Sequence, residues 1–317
     1  MSRRNASPAG FLTAPALAVL LGVYAVARLL EITPTSLPRT AIVALDVLSA
    51  LGFALVDGAR HYRLRGILVF AAICAVVGNM VENVGVATGF PFGRYSFADL
   101  MGPKLFHVPV LLGLAYIGMA YVSWTLGRVI VGDPGKTARG SRLVALPLAA
   151  SFIMVAWDLA QGPVWATVLH GWVWQDGGPW FGVPLSNYLG WFGTAFTIYL
   201  LFAIYLHRYP PTTVEAGPWA WRPALSFYGT CAAGNVLQTI PATLPAVVAD
   251  PTGKAWRTAD ITGTGFDLRD GGVCGVRLDP AREVQGRNYK LKSSRRRRVW
   301  ARLTGISVCF LSVMRSW

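Results

Sequence analysis

The sequence predicts an all-α fold: a polytopic transmembrane helical bundle of about seven spans, followed by a basic C-terminal tail that is expected to be poorly ordered. Three observations carry this reading. The 317 residues are 54% hydrophobic and only 14% charged, against roughly 25% charged in soluble domains. Apolar runs near the ~20 residues that a helix needs to cross a bilayer recur from the N-terminus to about Val248. Basic residues gather in alternate connections, as the positive-inside rule requires.

The first span is expected at Phe11 to Leu30. Arg3 and Arg4 before it resemble the start of a signal peptide, but the apolar run is too long and no small-residue cleavage site follows. Further spans are expected at Thr40 to Val56, Ile67 to Val86, Val108 to Val131, Leu143 to Leu159, Tyr188 to Leu206 and Pro223 to Val248. In this arrangement Arg3 and Arg4, then Arg60, Arg63 and Arg65, then Lys136, Arg139 and Arg142, then His207, Arg208 and Arg222 share one side. That side is expected to be cytoplasmic, in a multi-pass protein of the cell membrane with its N-terminus inside. The other side receives the loops Thr88 to Phe106 and Gly171 to Trp191. Their Gly, Pro and aromatic content predicts ordered caps at the headgroup level rather than loose linkers.

Residues 1–250 are therefore read as the transmembrane helical domain and 251–317 as the basic tail. The tail holds 14 of the 29 basic and 5 of the 15 acidic residues, which is +9 of the net +14. A bundle so mildly charged gives no footprint for nucleic acid, and none is expected as a partner. Cys74, Cys231, Cys274 and Cys309 are far apart with no CxxC pair, so neither a disulfide framework nor a zinc site is signalled.

Ionisable and amide groups inside spans are costly and mark a function or a partner. Span two carries Asp46, and span three carries Asn79, Glu82 and Asn83 at helical spacing. Span five ends in DLAQGPVW, where Asp158, Gln161 and Trp165 share a face until Pro163, which is expected to disrupt the helix. Span seven carries Asn235 and Gln238. Glu82 lies about 22 Å into its span at roughly 1.5 Å per residue, and Asp46 about 9 Å from the outer end of its own. Together with Asp158, these acids are expected to converge on the outer half of the bundle, beneath the two aromatic loops. Interhelical hydrogen bonding without catalysis is the competing reading of each polar residue.

Several chemistries are excluded by the residues themselves. His61, His107, His170 and His207 are too few and too scattered for a membrane di-iron centre, and no GxGxxG follows a strand. Paired Asp-rich motifs that would bind a magnesium diphosphate are also missing. Neither a cofactor nor a metal is expected. What remains is acid chemistry on an apolar substrate. A carboxyl group in apolar surroundings holds its proton more tightly, which makes Glu82 and Asp158 the first candidates for general acid, with Asp46 and Asp99 behind them. Trp157, Trp165, Trp172, Trp174 and Tyr188 offer faces that stabilise a cation. Asn79, Asn83, Gln161, Asn187, Asn235 and Gln238 complete the expected substrate-binding set. These residues alone suit a hydratase and a cyclase of polyenes equally well.

The segments GNMVENVGVATGFPFGRYSF, DLMGPKLFHVPV, WDLAQGPVW and WFGVPLSNYLGWF resemble a bacterial and archaeal family of carotenoid biosynthesis membrane proteins. That family contains carotenoid 1,2-hydratases of the CruF type and bisanhydrobacterioruberin hydratases. The likeness runs from about Ala41 to Leu206, and more weakly to Thr264. It implies hydration of the terminal double bond of a ψ-end group in lycopene, γ-carotene or a C50 carotenoid, with membrane lipid and other carotenoid enzymes as neighbours. A cyclase working through the same cation, or a non-catalytic carotenoid or lipid binder, is the alternative. The sequence departs from the family pattern after WRTADITGT. There it runs into the hydrophilic GFDLRDGGVCGVRLDPAREV instead of a last apolar helix.

Overall fold

A computed structural model describes residues 8–132, 141–210, 220–238 and 244–263. The predicted tail beyond residue 263 lies outside the described residues. Helix α1 (Pro8–Leu30) runs to Glu31 and gives way to the exposed segment 33–38. Pro38 starts helix α2 (Arg39–Thr88), whose 50 residues are about 75 Å at roughly 1.5 Å per residue, more than twice what one crossing needs. Arg63, at φ 59° and ψ 167°, breaks α2 into two arms. Asp46 and Glu82 stand almost equally far from that break, so folding back at Arg63 sets both acids at one depth.

The bend is tied to its neighbour by buried polar contacts. Tyr121 donates to Asp57 Oδ2 at 2.8 Å, and Trp124 Nε1 and Arg128 Nη1 donate to the Tyr62 hydroxyl at 2.9 and 2.7 Å. All three partners lie on the central helix Val110–Val131.

After α2 the chain forms strand β1 (Tyr95–Phe97), a single 3₁₀ turn (Asp99–Met101), and strands β2 (Lys104–Leu105) and β3 (Val108–Pro109). Helix α3 (Val110–Val131) is two-thirds buried and packs against α2, α4 and α6. Helix α4 (Ser141–Pro163) continues into a π-helical turn at Val164–Val168, followed by strand β4 (Trp172–Trp174) and helix α5 (Leu185–Arg208). Helix α6 is Arg222–Leu237, strands β5 (Val247–Ala249) and β6 (Ala255–Arg257) form a hairpin, and α7 is the short Thr258–Thr262. Among the described residues, five helices are long and apolar enough to cross a membrane, and the folded-back α2 makes two crossings. With the shorter α6, seven helical segments make up the all-α membrane bundle that the sequence predicts. Large apolar side chains such as Leu48, Val76, Met80 and Leu189 remain exposed, as lipid-facing positions require.

One expectation needs correction. The predicted span Pro223 to Val248 is not one helix: α6 stops at Leu237, and Val247 and Val248 belong to β5. The expected disruption at Pro163 is present, because the α-helical part of the segment, α4, ends at that residue. The wider π turn that follows absorbs the lost hydrogen bond and keeps Trp165 on the Asp158 side of the segment.

The two aromatic loops form a single cap. β1 and β4 pair antiparallel with Tyr95 opposite Trp174 and Phe97 opposite Trp172. Strand alternation therefore sends these four rings to one face. Arg94 and Asp176 form an exposed ion pair at the edge of the ribbon, and the hydrogen bonds from Arg94 hold the Asp176 carboxyl below its ordinary range. Ser186 at the start of α5 donates to the Phe92 carbonyl at 2.9 Å. On the far side, Val248 and Ile261 pack on Val164 and Val168, so the β5–β6 hairpin and α7 seal the π turn.

Candidate active site

The arms of α2, the inner faces of α3, α4 and α5, and the β1–β4 cap enclose a cavity of about 920 Å³, counting its open mouth. Glu82 is 3% exposed and projects into it. Tyr116 from α3 donates to Glu82 Oε1 at 2.8 Å, and Tyr95 from the cap donates to Oε2. One turn further along α2, Gly85 makes that approach possible: a Cβ there would lie 2.6 Å from the Phe92 ring and 3.0 Å from the Tyr95 hydroxyl. Burial, reinforced by the Glu82 carboxyl, pushes the Tyr95 hydroxyl far above its ordinary range, so it stays a hydrogen-bond donor.

Asp158 of α4 lines the same cavity and accepts a hydrogen bond from Asn187 Nδ2 at 2.9 Å. Pro184 starts α5 in an extended conformation, which places Asn187 in the first turn beside Asp158. Asp158 lies within electrostatic range of the Glu82 carboxyl. Asp46 reaches the cavity from the first arm of α2, and Gln161 lines it one turn beyond Asp158. The walls are aromatic. Trp165 and Trp172 stack at 6.1 Å and 9°, Tyr95 leans on Trp174 at 4.6 Å, and Tyr116 on Trp191 at 4.3 Å. Trp157 completes the ring.

Of the residues singled out from sequence, the cavity gathers Glu82, Asp158, Asp46, Gln161, Asn187, Trp157, Trp165, Trp172 and Trp174. Tyr188 is buried just behind this lining, its hydroxyl within electrostatic range of Asp158. Asp99 is elsewhere. Its 3₁₀ turn points Met101 into the cavity and Asp99 outward, fully exposed and 3.3 Å from Lys104 Nζ. Asn79 and Asn83 do not line the cavity. Positions 79 and 83 stack one turn apart, whereas 82 is rotated about 100° from 83, so Glu82 faces the cavity and the two amides do not. Asn83 instead bonds Asn79 and accepts the His107 backbone N–H at 3.0 Å, fastening the β2–β3 loop. Asn235 and Gln238 of α6 lie behind the wall, bonded to Gln161, Arg28 and Glu31.

Sequence reasoning missed Tyr95, Tyr116 and Trp191. Tyr116 sits in an uninterrupted apolar run with nothing to mark it, whereas the period-two pairing of YSF with WVW carried a readable signal for Tyr95.

Fold and site together define a polytopic membrane protein with a buried, acid-bearing, aromatic-walled cavity. Residues 40–250 match the family of carotenoid biosynthesis proteins, and the chain belongs to that family. A bisanhydrobacterioruberin hydratase of Haloarcula japonica is 28% identical over 123 residues, covering 38% of this chain and 40% of that protein. The likeness thus spans less than half of that relative. No solved structure matches the chain.

Proposed function

We propose that the protein is a carotenoid 1,2-hydratase that adds water to the terminal double bond of a ψ-end group, in lycopene, γ-carotene or a C50 carotenoid. The observation that carries this reading is Glu82, held between two tyrosine hydroxyls and facing Asp158 inside a tryptophan-walled cavity. Glu82 gives a proton to C2 of the alkene and leaves a tertiary cation at C1, whose charge the indole faces stabilise. The two phenol donors stabilise the carboxylate that remains. Water adds to C1, and Asp158, oriented by Asn187, takes the proton that the new hydroxyl group sheds. The balance is one alkene and one water in, one tertiary alcohol out, with no change of redox state. Amide and carboxyl groups in the lining favour capture by water over cyclisation, which needs a drier pocket.

Expression in a lycopene-accumulating bacterium tests this directly. The expected pigment has gained one or two molecules of water, according to whether one or both ends react. An unchanged mass with a shifted absorption band would point to a cyclase, and unaltered pigment to a binder.

The proposed placement has the N-terminus in the cytoplasm and the cavity end on the opposite side of the cell membrane, because the basic connections alternate with the aromatic cap. Reporter fusions at Arg139 and Gly178 are expected to mark opposite sides. A report from the same side would overturn this placement.

A further inference from the structure

Behind the Asp46 and Gln161 wall of the cavity, a second polar group threads between α1, α4 and α6. Arg28 is 4% exposed, its Nη1 pairs with Glu31 Oε2 at 2.7 Å, and its Nη2 donates to Asn235 Oδ1 at 2.7 Å. The same Asn235 oxygen takes the Gln161 amide, which carries the network into the cavity lining. At its other end Gln238 Nε2 donates to Glu31 Oε2 at 2.9 Å, just where α1 gives way to the exposed segment 33–38. Arg28 and Glu31 are also the charged neighbours of Asp46. The thread therefore runs from the surface at the end of α1 to the reaction cavity.

A network that served only to hold helices together would satisfy its own groups, because buried polar atoms are nearly always paired. This one does not. Arg28 Nε, Glu31 Oε1, Asp46 Oδ1 and Gln161 Oε1 are buried without a hydrogen-bond partner among the described residues. One is a donor and three are acceptors, a mixture that water can satisfy because it both gives and accepts hydrogen bonds. Gly234 lets α6 close directly on Arg28, since a Cβ there would lie 2.4 Å from its Nε.

We propose that Arg28, Glu31, Asp46, Gln161 and Asn235 form the water-supply path of the cavity, holding a short file of water between the end of α1 and the cavity wall. The inference rests on the hydratase reading in one respect, that water is the second substrate. Arg28 and Asn235 are positioning residues in it. The apolar polyene would then enter from the lipid side while water arrives through the thread, and neither has to pass the other.

Hydroxyl-radical labelling by X-rays of the full chain in lipid nanodiscs tests the path, because radicals born from held water modify the side chains beside it. Cys231 and Cys74 are equally buried in one apolar core, but Cys231 lies within electrostatic range of Arg28 and Asp46, so Cys74 serves as the dry control. Cys231 is expected to be labelled and Cys74 protected, and Arg28→Met should remove the Cys231 label. The same variant should bind carotenoid as the wild type does and hydrate it about tenfold more slowly, since water is no longer positioned. If Arg28→Met fails to insert, Asn235→Leu keeps the Arg28–Glu31 pair and is read in the same way. Protection of Cys231 equal to that of Cys74 overturns the proposal, as does wild-type hydration by a folded, carotenoid-binding variant. Labelled Cys231 in a wild-type protein that makes no hydrated pigment upholds the water path and removes the hydratase reading.

Discussion

Glu82→Gln is expected to insert and bind carotenoid normally and to lose product formation by about 10²- to 10⁴-fold, the range for removal of a positioned acid. Gln has nearly the shape of Glu: one tyrosine hydroxyl keeps an oxygen acceptor and the other can accept from the new amide N–H, so the cap keeps its seat on α2. What disappears is the transferable proton. Asp158→Asn removes the partner base in the same way while leaving an oxygen for Asn187, and the expected loss falls in the same range of about 10²- to 10⁴-fold. Asp99→Asn is the control: its carboxyl is fully exposed and outside the cavity, so product should stay within about twofold, as for a surface substitution. Product mass measured against membrane-inserted protein reads all three. Full activity in both Glu82→Gln and Asp158→Asn would return these carboxyls to helix packing and move the acid to Asp46.

Much of this site was legible before any coordinates. The depth argument for Asp46 and Glu82 works because helical rise is fixed and the bend at Arg63 lies about midway between them, which sets both at one height. Asp158 and Gln161 follow from a spacing of three on an uninterrupted helix, whereas the strand pairing of the cap aromatics went unread, although YSF and WVW alternate with period two. Failures occurred where hydropathy is blind to the backbone. The apolar pattern of residues 223–248 runs through Pro241 and Pro245, whose missing N–H groups do not register in an apolar count. The disruption at Pro163 was readable, but a π turn has no composition signature, so its form was not. Asn79 and Asn83 were grouped with Glu82 because spacings of three and four were treated as one face, although they diverge by about 100°. The Arg28–Glu31 pair lay at the end of an apolar run and read as a span boundary, yet both side chains are buried and bonded to α6.

The origin of the new hydroxyl separates the remaining chemistries most sharply. Protonation and water capture change no oxidation state, so the reaction is expected to proceed without molecular oxygen, nucleotide or added metal. In heavy-oxygen water each new hydroxyl should carry one solvent oxygen. In deuterated water one solvent deuterium should appear on the carbon beside the new alcohol, because the proton on Glu82 exchanges with solvent between turnovers while the C–H bond that it forms does not. A cyclase acting through the same cation would carry deuterium and no solvent oxygen, and a binder would return unlabelled pigment. These outcomes differ by the presence or absence of a label rather than by a rate, so a low membrane yield does not blur them. Incorporation of oxygen from labelled molecular oxygen would remove the Glu82 and Asp158 mechanism, since neither carboxyl can activate oxygen.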